Sequence, residues 1–278
     1  MRRPTSAAHR RRRDRSTRVP WPVVVLATLG GLLFALPLLG LLQRAAWGDF
    51  WDDLSDPAAR HALRLSIECS LWATLLSVVL GVPLAWVLAR GDFPGRALLR
   101  ALVLLPLVLP PVVGGVALLY AFGRSNGLVG PWLYDTFGLQ LTFSKTGVVL
   151  AETFVAMPFL VLTVEGGLRA IDTRYEDAAA TLGAGRWTTF RRVTLRFLAP
   201  TLAAGAALAW ARALGEFGAT ITFAGNLPGV TQAMPSAVYR AFETDPPSAV
   251  ALSLVLLAVS VSVLVLLRDR WLRPGAGL

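Results

Sequence analysis

One cysteine, Cys69, and one lysine, Lys145, are all this chain has of two residue types on which much protein chemistry depends. A lone cysteine excludes an internal disulfide framework, and within an apolar run its ordinary role is packing. Lys145 follows Ser144 where a phosphate-cradling loop needs glycine, so there is no Gly-x4-Gly-Lys motif. If ATP drives anything here, its hydrolysis belongs to another polypeptide. His9 and His61 lie in a basic tail and at the edge of an apolar run, and one cysteine cannot complete a metal site with them. No repeat of 20–50 residues is visible. Nor are there the alternating ten-residue strands of a membrane barrel.

Charged residues make up only 16% of the chain, whereas 55% is hydrophobic. The mean hydropathy of +0.58 and several apolar runs of about 20 residues mark a membrane protein. A net charge of +10 invites a nucleic-acid reading. That reading fails, because the arginines sit in short segments between apolar runs rather than on one soluble face.

Residues 1–19 form a basic tail with eight arginines. The apolar run that follows, about Pro20–Leu42, is too long for a signal-peptide core and ends without a small-residue cleavage pattern, so it reads as a retained first span. Trp21 and Trp47 stand near its ends, as an aromatic belt requires. An outer loop continues to residue 60. Five more spans are expected at about His61–Ala89, Leu98–Phe122, Gly147–Leu168, Leu198–Phe223 and Ser248–Leu267, before a short tail over residues 269–278. Six spans put both tails, the Arg90/Arg96/Arg100 loop and the arginines from Arg169 to Arg196 on one face. The positive-inside rule makes that face cytoplasmic. The expected fold is therefore all-α, a polytopic protein with six transmembrane helices in a cell membrane.

The third span carries Pro106, Pro110 and Pro111, followed by Gly114 and Gly115. Prolines there bend the helix and free backbone carbonyls, which neighbouring helices or a cavity must satisfy. A pore-helix kink and a merely structural one fit this pattern equally. Glu68, Glu152, Glu165, Arg212 and Glu216 lie inside spans, each at a cost of roughly 2.5–3.5 kcal/mol near the bilayer centre. Arg212 and Glu216 are four residues apart and can pair on one helix. Two readings stand for them: an ion pair that locks the bundle, or a part of the translocation path.

Residues 172–197 form a polar island between apolar runs. Thr173 and Glu176 have capping-box spacing, Ala178–Ala180 favour helix, and Gly183 suits a left-handed stop. A second short helix is expected next. Trp187, Phe190, Val193 and Phe197 recur at helical spacing, and Arg186, Arg191, Arg192 and Arg196 surround them. From the residues alone, this is an interfacial helix on anionic lipid.

The island also resembles the cytoplasmic signature loop of ABC importer permeases, Glu-Ala-Ala, three residues, then Gly. Asp177, Ala178, Ala179 and Gly183 stand at those positions, with Asp for the family's Glu and Arg196 for a later proline. The stretch LARALGEFGATITFAGNLPGVTQAMPSAVY, together with LPLVLPPVVGG and LYDTFGLQLTFS upstream, is similar to the permease subunits of molybdate importers. The likeness covers about His61–Leu267; sulfate and thiosulfate permeases share much of it. The resemblance implies the type I ABC importer (MetI-like) fold over a core of residues 61–268 and no enzyme activity or cofactor in this chain. ATP would be used by separate cytoplasmic ATPase subunits. It further implies a homodimer, an extracytoplasmic molybdate-binding protein as partner, and a coupling element formed by Glu176, Asp177, Ala178, Ala179, Gly183, Ala184 and Arg186. Membrane lipid is an expected partner and nucleic acid is not. An ion-coupled secondary transporter would be expected to show inverted repeats, which are not seen; a non-transporting membrane scaffold is the remaining alternative.

Overall fold

The computed structural model describes residues 19–271. Most of the two expected basic tails, residues 1–18 and 272–278, lie outside the described residues. The chain divides into two units, Met1–Ala45 and Ala46–Leu278.

Among its described residues the first unit contains one helix, α1 (Trp21–Gln43), opened by a proline in its first turn and with no buried side chain. A helix that is apolar all round is stable only in apolar surroundings, and its 23 residues suffice to span a membrane.

The second unit is entirely helical apart from its connections, with no strand among the described residues. Its elements are α2 (Phe50–Ser55), α3 (Pro57–Arg90), α4 (Arg96–Val108), α5 (Pro111–Phe122), α6 (Gly130–Phe137), α7 (Lys145–Ala170) and α8 (Arg174–Thr181). Then come α9 (Arg186–Thr189), α10 (Leu195–Leu214), α11 (Gly218–Phe223), α12 (Met234–Thr244) and α13 (Pro246–Trp271). Local signals set the starts of the long helices. The Asp56 carboxylate accepts from Ala58 N at 3.2 Å with Pro57 next to it, and Ser144 Oγ accepts from Gly147 N at 3.1 Å. Each satisfies an amide that the helix itself cannot.

The centre of the unit is α7. Its Ala156, Leu160, Val161, Val164 and Leu168 are fully buried against Ala73, Ala85 and Leu88 of α3 and Leu198, Ala209 and Ala213 of α10. Lipid tails are as apolar as leucine, so close packing of small residues carries this association. At the far ends of the helices, Ala59 and Ala62 of α3 pack with Met234 and Ala237 of α12 and Leu252 of α13. Ser66 Oγ accepts from Met234 N there. Ser248 Oγ donates to Asp53 of the short α2, which ties residues 46–60 to this unit.

Among the described residues, five helices are long and apolar enough to cross a membrane: Trp21–Gln43, Pro57–Arg90, Lys145–Ala170, Arg186–Leu214 and Pro246–Val263. The expected span Leu98–Phe122 is not one helix. It is divided into α4 and α5, of 13 and 12 residues, or roughly 20 and 18 Å, so neither alone crosses a layer of about 30 Å. The cause is the Pro110–Pro111 pair. A residue before proline is pushed out of the helical region, and Leu109 and Pro110 take ψ values of 135° and 133°.

The expected span Leu198–Phe223 also needs correction at both ends. Its helix begins at Arg186, passes through a π-helical turn at Phe190–Thr194 and continues as α10 to Leu214. The second short helix expected from the sequence is thus the first turns of a span. At the other end, Gly215–Phe217 interrupts the helix before α11.

Candidate functional site

The two interruptions face each other. Gly218, which opens α11, lies against the start of α5: a Cβ on it would stand 2.9 Å from Pro111 Cβ and 3.2 Å from Val112 N. A Cβ on Gly115 would stand 2.8 Å from the Ala219 carbonyl oxygen. The broken ends of two membrane segments therefore cross at backbone contact, and glycine at both positions is what allows it. Non-helical backbone at membrane depth is stable only where protein covers it or where it borders a water-filled cavity.

Arg212 and Glu216 sit at this crossing. Arg212 Nη1 donates to Glu216 Oε2 at 2.6 Å, and the Glu216 side chain is 1% exposed. The other carboxylate oxygen accepts from Ala219 N at 2.7 Å. Glu216 thus holds α10 and α11 across the break with one carboxylate, pairing with the last turn of the first and capping the first turn of the second. The Arg212 side chain keeps 26% exposure, so only one end of the pair is sealed.

Behind the crossing lies Glu152 of α7, 1% exposed, with no hydrogen-bond partner for Oε2 among the described residues. Its neighbours Ala151 and Val155 pack on Ala219 and Phe223 of α11. Thr220 Oγ1 of α11 is likewise buried and unpartnered. The sequence marks Glu152 as an ionisable residue in a span but gives no sign of Thr220, since threonine is common in membrane helices. Pro110, Val112 and Val113, by contrast, are exposed. The proline break therefore turns one side to α11 and the other outward.

The other two carboxylates of the spans are paired. Glu165 of α7, 2% exposed, binds both Arg100 of α4 and, at 2.8 Å, Arg169 of its own helix. Glu68 of α3 pairs with Lys145 at the start of α7. The sequence places Arg100 and Lys145 in loops; it does not show partners 65 or more positions away. Cys69 is buried with Leu65, Val148 and Ala224, as packing requires.

The signature loop lies at the other end of these helices. α8 stops in a Schellman motif: Gly183 takes φ +81°, its N–H reaches Ala180 O at 2.9 Å, and Ala184 N–H reaches Ala179 O at 3.0 Å. The capping box does not form. Thr173 is itself helical and makes no side-chain cap, and Asp172 Oδ1 accepts from Arg174 N instead. Glu176 is engaged elsewhere, accepting from Thr194 Oγ1 at 2.8 Å and facing Arg90 at 3.5 Å. Glu176 therefore turns towards its own chain, tying α8 to α3 and to the π-helical turn. Asp177, Ala178, Gly183 and Arg186 are exposed, and Ala179 and Ala184 are half-buried. Between them Leu182 is 88% exposed, an apolar side chain that the sequence reading passes over.

Known proteins match this chain closely. Residues 78–275 match a family model described as binding-protein-dependent transport system inner membrane component. The chain is 49% identical over 245 residues to a molybdenum transport system permease protein of Mycobacterium tuberculosis, covering 87% of this chain and 91% of that one. The corresponding Escherichia coli protein is 45% identical over 188 residues, covering 68% and 82%. A sulfate transport system permease protein of E. coli is 39% identical over 237 residues, covering 84% and 85%. Among solved structures, a bacterial ABC transporter for import of the acidic polysaccharide alginate superposes with TM-score 0.71 at 17% identity, covering 90% of this chain and 92% of the other. The methionine ABC transporter gives TM-score 0.59 at 17% identity, covering 78% and 99%; at these identities the likeness concerns fold. With the match extending through the signature loop and both broken segments, the chain belongs to the binding-protein-dependent transport system inner membrane components, the permease subunits of ABC importers.

Proposed function

We propose that this chain is the permease of an importer that moves molybdate into a bacterial cell. The observation that carries the substrate is the 49% identity to a molybdenum transport permease across nearly the whole length of both chains, against 39% for a sulfate permease. Two copies would form the pathway, with the broken ends of α4/α5 and α10/α11 beside it. In this reading Pro106, Pro110 and Pro111 shape a pore segment, α4 and α5, that can move at a preset joint. The Arg212–Glu216 pair holds the facing joint, between α10 and α11, together: a paired arginine has little net attraction left for a passing anion.

Both termini and the signature loop face the cytoplasm in this reading, because the arginines concentrate there. Asp177, Ala178, Ala179, Gly183 and Ala184 dock on a separate ATPase as a short helix in a groove, and Arg186 borders that surface where the next span begins. Glu176 supports that helix from behind. A binding protein on the outer side delivers the oxyanion.

Uptake decides the substrate. A strain lacking this chain is expected to lose high-affinity molybdate accumulation, to regain it from a plasmid copy, and to keep its sulfate uptake. Loss of sulfate uptake with molybdate accumulation intact would replace molybdate by sulfate in this reading. For orientation, a reporter fused after Arg273 is expected to read cytoplasmic and one near Asp53 extracytoplasmic. A C-terminus outside the cell would remove the signature loop from reach of any ATPase.

A further inference from the structure

An apolar groove of about 510 Å³ runs between the last turns of α3 and the start of the α9–α10 span. Its walls are Val82, Pro83, Trp86 and Val87 on one side and Trp187 and Phe190 on the other, and Arg186 is the one charged residue that lines it. Trp86 and Phe190 meet edge to face with ring centroids 4.7 Å apart, and Trp187 lies 5.5 Å from Phe190.

Depth identifies the occupant. Val82–Val87 precede Arg90, the last residue of α3, by roughly 5–12 Å along the helix. The groove therefore lies just inside the boundary between headgroups and acyl chains, where tryptophans collect. Trp187 is 72% exposed and Val87 43% exposed, so the groove opens sideways. Arg186 makes no ion pair among the described residues, whereas nearby Arg90 is matched by Glu176. An unmatched guanidinium on the rim of an apolar channel at this depth complements a lipid with one anionic headgroup and an acyl chain to bury.

We infer that this groove binds an anionic glycerophospholipid, its phosphate at Arg186 and one acyl chain lying along the wall that Trp86 and Phe190 form together. The inference rests on the membrane orientation proposed above. The lipid would brace α3 against the start of the α9–α10 span, directly beside the signature loop, and so make coupling sensitive to the lipid of that leaflet.

The full chain, purified in detergent and offered equal phosphatidylglycerol and phosphatidylcholine, is expected to retain phosphatidylglycerol selectively in native mass spectrometry. Arg186→Gln is expected to reduce that selectivity about fivefold, the equivalent of about 1 kcal/mol per basic residue at an anionic surface. Val87→Trp, which fills the groove without touching the charge, is expected to lower retention of both lipids. Equal retention of the two lipids by the unaltered chain overturns the inference, as does selectivity that survives both variants. Oxidation of Val87→Cys to a covalent dimer overturns it too, because a second copy would then cover the groove. Molybdate uptake assayed in vesicles separates this from the transport reading. Uptake without lipid selectivity removes the lipid site alone, and selectivity without uptake removes the transport reading alone.

Discussion

Arg212→Ala and Glu216→Ala are each expected to deplete assembled permease in the membrane, and the double variant Arg212→Ala/Glu216→Ala to recover part of the loss. Breaking a buried pair from one side leaves the remaining charge without a partner, at a cost of roughly 3–5 kcal/mol, whereas removing both costs less. Recovery should stay incomplete, because Glu216 also accepts from Ala219 N at 2.7 Å and no alanine can replace that cap. The two single variants should differ because the two charges are unequally buried. Arg212→Ala strands a carboxylate that is 1% exposed, while Glu216→Ala strands an arginine that is 26% exposed and can still reach water. Assembled complex and oxyanion uptake are measured on all three. Additive losses in the double variant would sink the structural pair. Intact assembly with lost uptake in Arg212→Ala would instead place Arg212 in the path of the anion.

Gly183→Val is expected to lower uptake by more than about tenfold, with insertion in the membrane unchanged and the ATPase no longer co-purifying. Gly183 stands at φ +81° with nothing within 4 Å of a would-be Cβ, so space is not the obstacle. The obstacle is backbone: a β-branched residue held at positive φ costs of order 1–3 kcal/mol, enough to unwind a short exposed helix end. The Schellman bonds from Gly183 N and Ala184 N would go with it, and with them the placement of Asp177, Ala178 and Leu182. Gly183→Asn provides the control, since asparagine enters the left-handed region readily; its uptake should stay near that of the parent. Normal uptake in the valine variant would remove the reason for treating this loop as a coupling element.

Hydropathy alone located the apolar segments, because a membrane demands about 20 apolar residues per crossing and a run of that length is visible without any partner. The same holds for the left-handed stop at Gly183, a local backbone requirement, and for the i,i+4 pair of Arg212 and Glu216. Charge placement determined the expected orientation for a similar reason: arginines between spans need no tertiary contact to be counted.

Packing decided the rest. Pro110 and Pro111 announce a bend, but whether a span kinks or separates into two helices depends on what covers the freed backbone, and here α11 does so through Gly218 and Gly115. The interruption at Gly215–Phe217 has no proline at all; Glu216 stabilises it by bonding to both sides. Thr173 and Glu176 have the spacing of a capping box, yet Thr194 and Arg90 claim the glutamate from elsewhere in the chain. Glu165 shows the same effect, held by an arginine 65 positions away. Local pattern specifies what a segment does with its own backbone, whereas buried side chains choose among partners that only the folded chain brings near, because at low dielectric an unmatched polar group costs more than a local rule can return.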